Sequence, residues 1–132
     1  MMISTKGRYA LRVMIDLAEH SGDGYIAMKT VAQRQDISLK YLEKILPSLV
    51  ADGLVEGVHG KGGGYKLSKD PSEITAAEII KNAENGIAPV ACLEDGALPC
   101  EKADRCKTLP MWKGLSKVVD DYLTGITLDT LI

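Results

Sequence analysis

Phenylalanine is absent from this chain of 132 residues, and tryptophan occurs once. So thin an aromatic set speaks against a platform of several rings that would stack the bases of a single strand. A net charge of −2 supplies none of the bulk basicity that announces nucleic acid. No apolar run approaches the about 20 residues that a bilayer-crossing helix needs. No basic-then-apolar leader opens the sequence, so the expectation is a cytoplasmic protein with no membrane partner. No C-x-x-C pair is present, which sets aside a zinc knuckle and a dithiol oxidoreductase. His20 and His59 are both remote in sequence from every cysteine. That leaves no obvious base for a thiol nucleophile, and an enzyme is not expected.

What is present suits one folded domain. A hydrophobic share of 45% is enough for a packed core, and the length falls within the about 100–200 residues of a single domain. Charge is divided unevenly. Residues 1–68 sum to +2 and residues 69–132 to −4, and Lys6, Arg8 and Arg12 open the chain with no acid among them. A basic front and an acidic rear suit a molecule that presents one face to a polyanion. Three cysteines, an odd number, argue against a closed disulfide framework and for thiol or metal chemistry in a reducing compartment.

Helical spacing of Ala10, Leu11, Val13, Met14, Leu17 and Ala18 predicts a first helix over 5–20, with Arg12, Asp16 and Glu19 on its other face. Ser21-Gly22-Asp23-Gly24 ends it. A short amphipathic helix over 28–35 follows, then a tight turn at Gln35-Asp36-Ile37. Ser38 stands where an N-cap belongs, before a third helix from Leu39 to about Ala51 whose apolar positions are Leu39, Leu42, Ile45, Leu46, Leu49 and Val50. Pro47 is expected to kink or loosen its final turn. Residues 54–58 and 65–67 read as two strands around a glycine-rich hairpin loop, 59–64. Thr75 and Glu78 form a capping box for a helix reaching Glu84, closed by Asn85-Gly86. Residues 87–108 read as irregular, Pro110 suits the start of a last helix reaching Leu123, and a short coda runs from Thr127 to Leu131.

Three helices followed by a β-hairpin is the order of a winged helix-turn-helix. The third helix shows a polar outer face near its N-terminal end, the end that enters a major groove. Ser38 and Lys40 suit phosphates, Tyr41 a phosphate or a thymine methyl, and Glu43 a cytosine amino group, with Lys44 beside them. An acid facing DNA is repelled unless a base donor rewards it, so Glu43 would discriminate between sequences. The alternative is a solvated helix face. Gly62-Gly63-Gly64 is costly in conformational entropy. Such a run suits a backbone that must come close to something, and His59 and Lys61 in the same loop suit a minor groove or a phosphate. A nucleotide phosphate loop is excluded, because a strand rather than a helix follows.

Ile3 to Leu11, Ile37 to Glu43, Gly53-Leu54-Val55 and Gly60-Lys61-Gly62-Gly63-Gly64-Tyr65 together resemble the Rrf2 family of bacterial regulators, to which IscR-, NsrR- and CymR-type proteins belong. The resemblance covers nearly the whole chain. It implies a mainly α fold with a small β-hairpin, a winged helix-turn-helix plus a long C-terminal dimerisation helix. It also implies a homodimeric repressor or activator on double-stranded operator DNA, with Thr5, Lys6 and Arg8 helping to hold the DNA backbone. The usual wing arginine of the family is His59 here.

Cys92, Cys100 and Cys106 are spaced C-x7-C-x5-C between two helices. Soft thiolates gathered in a loop hold iron-sulfur clusters or act as redox thiols; a core position is the bland reading, best suited to Cys92. The resemblance implies three cluster ligands in this order and place, for a 2Fe-2S cluster. Leu109 stands where the histidine of IscR-like members falls, and Arg8 where a partner-supplied aspartate falls in some nitric-oxide sensors. The fourth ligand would then be a carboxylate (Glu94, Asp95, Glu101 or Asp104), a group from the partner subunit, or a small molecule. The other reading is a cluster-free, CymR-like repressor controlled by thiol oxidation or by a protein partner in cysteine metabolism.

The last helix carries Leu109, Trp112, Leu115, Val119 and Tyr122 along one stripe, with Met111, Val118 and Leu123 beside it. That arc is wider than one small domain covers, so a symmetric partner helix is expected. The organisation expected is a DNA-binding region over 1–84, a cysteine-containing sensor loop over 85–108, and a dimerisation helix with tail over 109–132.

Overall fold

Ser4 opens the first helix: its hydroxyl accepts the Lys6 amide at 3.2 Å, and α1 runs Thr5–Glu19. The computed structural model describes residues 3–84, 86–94, 96–98 and 101–132. Asn85, Asp95 and Cys100 therefore lie outside the described residues. Within α1, Ala10, Val13, Met14, Leu17 and Ala18 are buried, as their helical spacing requires. The second helix, α2, is Met28–Gln35 and stops at Asp36, whose φ of 53° is left-handed. Aspartate tolerates that conformation better than most side chains do. It reverses the chain in one residue, so Ser38 can cap the next helix by accepting the Tyr41 amide at 3.1 Å.

That helix, α3, is Leu39–Ala51 and buries Leu42, Ile45, Leu46 and Leu49. Leu39 and Val50, which spacing alone assigns to the inner face, are 38% and 42% exposed. They sit in the first and last turns, at the two ends of the helix, where contact with the core stops. Pro47 lies inside α3 without ending it. The turn around it is held from outside: the Asn82 side chain donates to the Ser48 carbonyl at 2.9 Å and also bonds Asp52.

Two strands follow, β1 at Val55–Val58 and β2 at Gly64–Leu67. They pair antiparallel from Val55 opposite Leu67 to Val58 opposite Gly64. The connector after α1 adds a third short edge, because Ile26 and Tyr65 exchange both backbone bonds at 2.9 Å. The hairpin is thereby tied to the helices rather than left hanging. The fourth helix, α4, is Ala76–Glu84, and Thr75 accepts the Glu78 amide at 3.1 Å as a cap. The last, α5, is Leu109–Thr124, with a proline in its first turn. Helices and hairpin together make a winged helix-turn-helix with a long C-terminal helix. Among the described residues, no helix is long and apolar enough to cross a membrane.

The coda is part of the core. Leu128 is fully buried, and its amide bonds the Ile74 carbonyl at 2.8 Å while the Ala76 amide bonds Ile126 at 2.8 Å. A period-based reading misses this, because the segment is too short to show a period. The helical pattern likewise assigns Asp16 to the outer face, and the structure corrects it: Asp16 is 1% exposed. Arg34 at the end of α2 donates to both its oxygens, at 3.0 and 2.6 Å, and Gln35 donates at 2.9 Å. Burial pushes this carboxyl up. The bonds from Arg34 and Gln35, with the charge of Arg34, outweigh that and hold it below its ordinary value.

Two outcomes follow from this packing. Leu128→Ala is expected to cost about 3 kcal/mol in urea unfolding; a loss near zero would mean that the coda is an ornament. Asp16→Asn is expected to cost about 2 kcal/mol near neutral pH. The folded carboxyl lies below its ordinary value of 3.8, so its contribution is present above that pH and fades as pH falls through the lower folded value. The gap between wild type and variant should therefore close only in strong acid, and a gap that closes between pH 5 and 7 would contradict the ion pair.

Candidate nucleic-acid interface and cysteine loop

Ser38, the cap of α3, is exposed, as are Lys40, Glu43 and Lys44 on its first two turns. Tyr41 differs from them. It is half-buried, and its ring meets Tyr9 of α1 edge-on, with centroids 5.5 Å apart and planes at 83°. That contact brings the start of α3 against the N-terminal half of α1, where Thr5 and Arg8 are exposed and Lys6 half-buried. Arg8 donates to the Thr5 hydroxyl at 3.2 Å. His59 and Lys61 are exposed on a separate element, the hairpin tip.

The glycine run in that tip has a reason inside the fold. A Cβ at Gly63 would run into the Val58 carbonyl, and one at Gly64 into the Ile26 carbonyl. Only Gly62, with φ of 79°, faces open space. All three glycines are thus explained by the hairpin's own backbone, Gly63 and Gly64 by close carbonyls and Gly62 by its left-handed φ, without the approach of an outside molecule. The solvent face of the hairpin is braced as well. Lys66 lies 4.7 Å from the centre of the Tyr25 ring and 3.4 Å from Glu56.

A residue that sequence reasoning passes over organises the start of α1. Glu84, the last residue of α4, accepts from the Ser4 amide at 3.0 Å, the Ser4 hydroxyl at 2.5 Å and the Gly7 amide at 3.0 Å. Its carboxylate sits against the partial positive charge of the helix N-terminus. Gly7 is the trace this leaves in the sequence. A Cβ there would meet Glu84 Oε1, and a glycine inside an otherwise regular helix signals a close approach. The segment that follows Glu84 is the cysteine loop.

Cys92 is exposed in a short 3-10 turn, Ala91–Leu93, and Cys106 is half-buried; both are free thiols. Cys106 Sγ lies 3.4 Å from the Thr108 hydroxyl. Bonds from that hydroxyl and from the Thr108 amide, aided by the Leu109 amide and the Lys102 charge, hold the thiol below its ordinary value. This favours thiolate, the form that binds iron or reacts with oxidants. The donor chemistry thus fits a cluster at Cys92, Cys106 and the undescribed Cys100. Among the described residues, no three His, Cys, Asp or Glu side chains are grouped to hold a metal ion. Glu94, Glu101 and Asp104 are exposed, and Leu109 is half-buried at the start of α5.

No residue of α5 is buried. The helix is tied to α4 by the Lys81–Asp120 ion pair. Its apolar arc divides between two faces, which corrects the single stripe read from spacing. Leu109, Trp112, Val119 and Leu123 are half-buried on the inner side. Met111, Leu115, Val118 and Tyr122 face out, at 56, 39, 65 and 68% exposure.

Comparison with known proteins agrees with this architecture. Residues 3–132 match the family model described as Rrf2, iron-dependent transcriptional regulator. The HTH-type transcriptional regulator IscR of Photorhabdus laumondii is 40% identical over the whole chain, which spans 79% of that protein. The solved structure of CymR, the global cysteine regulator of B. subtilis, has a TM-score of 0.80 at 40% identity and covers 99% of this chain and 95% of its own. The T. potens IscR structure has a TM-score of 0.79 at 34% identity, covering 99% and 85%.

Gly7→Ala decides whether Glu84 matters to α1. In an ordinary helix this change stabilises by about 1 kcal/mol. Here the new Cβ displaces the carboxylate, and a loss of about 1 kcal/mol, the worth of a helix cap, is expected in urea unfolding. A gain in stability would show the clamp to be inconsequential.

Proposed function

This chain belongs to the Rrf2 family of DNA-binding transcription regulators, and from that premise we propose that it acts as a homodimer that reads a two-fold operator and reports the state of a 2Fe-2S cluster on Cys92, Cys100 and Cys106. The observation that carries the reading is the position of the cysteine loop. It begins beside Glu84, which holds the start of α1, and it ends at Cys106, whose thiol leans on the cap of α5. A tie among the three cysteines would pull on both ends at once.

Each part has a physical task. Thr5, Lys6 and Arg8 hold backbone phosphates from α1. Ser38, Lys40 and Lys44 do so from α3. Tyr41 meets a phosphate or a thymine methyl, and Glu43 rejects sequences that offer no cytosine amino group. Lys61, with His59 beside it, reaches the minor groove or its phosphates from the hairpin. The outward side chains of Met111, Leu115, Val118 and Tyr122 are spaced four, three and four residues apart, the seam of a helix that meets another helix. Two copies joined there supply two recognition helices for two half-sites. When bound, the cluster supplies a redox-sensitive tie within the loop, and the fourth ligand comes from a carboxylate, the partner subunit or a small molecule.

A second reading has its own support. Leu109 offers no ligand, the Cys106 thiol is disposed toward thiolate, and the CymR structure fits this chain with a TM-score of 0.80. In that reading the cysteines answer oxidants directly, or a protein partner of cysteine metabolism controls the regulator, with no cluster.

Anaerobic purification followed by a visible spectrum and iron and sulfide counts separates the two. A brown protein with near-equal iron and sulfide is expected. Replacing all three cysteines by alanine should give a colourless, folded dimer with altered affinity for its selected DNA duplex. A protein still metal-free after cluster reconstitution would leave the cluster-free regulator as the reading.

A further inference from the structure

The sequence places Arg12 with Lys6 and Arg8 in a basic front, but the structure commits it elsewhere. Arg12 Nε donates to the Gln35 side-chain oxygen at 3.3 Å, and its Nη2 donates to the Gln35 carbonyl. That carbonyl ends α2, one residue before the left-handed Asp36 that turns the chain toward α3. The Gln35 amide in turn donates to buried Asp16 at 2.9 Å, which Arg34 grips with two nitrogens. On its other side, the Arg12 guanidinium lies 5.2 Å from the centre of the Tyr9 ring. Tyr9 meets Tyr41 edge to face.

Tyr9, Arg12 and Asp16 are three and four residues apart on α1, so they form one stripe facing the helix-turn-helix. Each link in the series depends on direction. A guanidinium fork fixes the amide and carbonyl it bonds, a cation sits over a ring face, and an edge-to-face pair sets the angle of the second ring. The buried ion pair cannot shift without exposing or orphaning Asp16.

We propose that Tyr9 and Arg12 are positioning residues that set operator specificity: they hold the Tyr41 ring in one orientation at the DNA-facing start of α3 and anchor it, through Gln35, to the buried Asp16–Arg34 pair. The proposal rests on the reading of Tyr41 as a DNA-contacting residue. It assigns Arg12 no phosphate, which separates it from Lys6 and Arg8.

The test begins by selecting the preferred duplex of the wild-type protein from a pool randomised over about 30 base pairs, enough for two half-sites. Affinity is then measured for that duplex and for a scrambled one across a salt series. Tyr9→Leu and Arg12→Gln are each expected to lower the preference for the selected duplex about five- to tenfold while leaving the salt slope unchanged. Tyr9→Phe, which keeps the ring, should recover the preference that Tyr9→Leu loses. Tyr9→Leu combined with Tyr41→Leu should lose no more than Tyr41→Leu alone, the mark of one coupled unit. Thermal unfolding monitors the fold, and half-exposed Arg12 supplies the second variant if Tyr9→Leu does not fold. A salt slope reduced by about one in Arg12→Gln would make Arg12 a phosphate contact and overturn the proposal. An unchanged preference in both variants would overturn it too. Full preference in Tyr41→Leu would remove the DNA-facing reading of Tyr41 itself, a failure distinct from that of the relay.

Discussion

A carboxylate that is 1% exposed in the last turn of α1 must be met by donors, and the fold is arranged so that Asp16 is met by Arg34 and Gln35. Both come from the last turn of α2, so the demand of one buried charge sets where α2 ends against α1. The turn at Asp36 and the cap at Ser38 then follow within three residues, and the direction of α3 is settled. A charge removed from water fixes a helix more sharply than apolar contact does, because its bonds are directional and its loss is costly.

The first helix is therefore the hub of the molecule. One of its faces grips α2 and α3 through Asp16, Arg12 and Tyr9. Its N-terminus is held by Glu84 of α4, and Gly7 is small so that the carboxylate can come near. Thr5, Lys6 and Arg8, the residues of α1 expected to hold the DNA backbone, lie in this same first turn. Any change that moves the end of α4, including one that begins in the cysteine loop, meets them directly.

Elements with strong local signals were legible from the residues in order. The first three helices, the Ser38 and Thr75 caps and the antiparallel hairpin rest on periodicity, capping and turn chemistry, all of which act within a few residues. The family was legible for the same reason, in Ile37 to Glu43 and in the glycine-rich hairpin. The features that spacing misread are those made by contact at long range. Asp16 looks like an outer-face residue until Arg34 is placed opposite it. The Thr127–Leu131 coda looks like a loose end until Leu128 closes over Ile74. Gly63 and Gly64 look like room for a ligand until the Val58 and Ile26 carbonyls are found beside them.

The sequence by itself determined the fold class, the order of elements and the chemical character of each candidate site, because residue type and local spacing carry that information. Only the tertiary structure decided which charges face outward and which are internal ties. Arg8 and Arg12 are the same residue type one turn apart, yet Arg8 is exposed beside Thr5 and Arg12 is committed to Gln35 and Tyr9. The role of a cation depends on the groups that surround it, and folding brings those groups in from elsewhere in the chain, as it brings Gln35 to Arg12 across 23 residues.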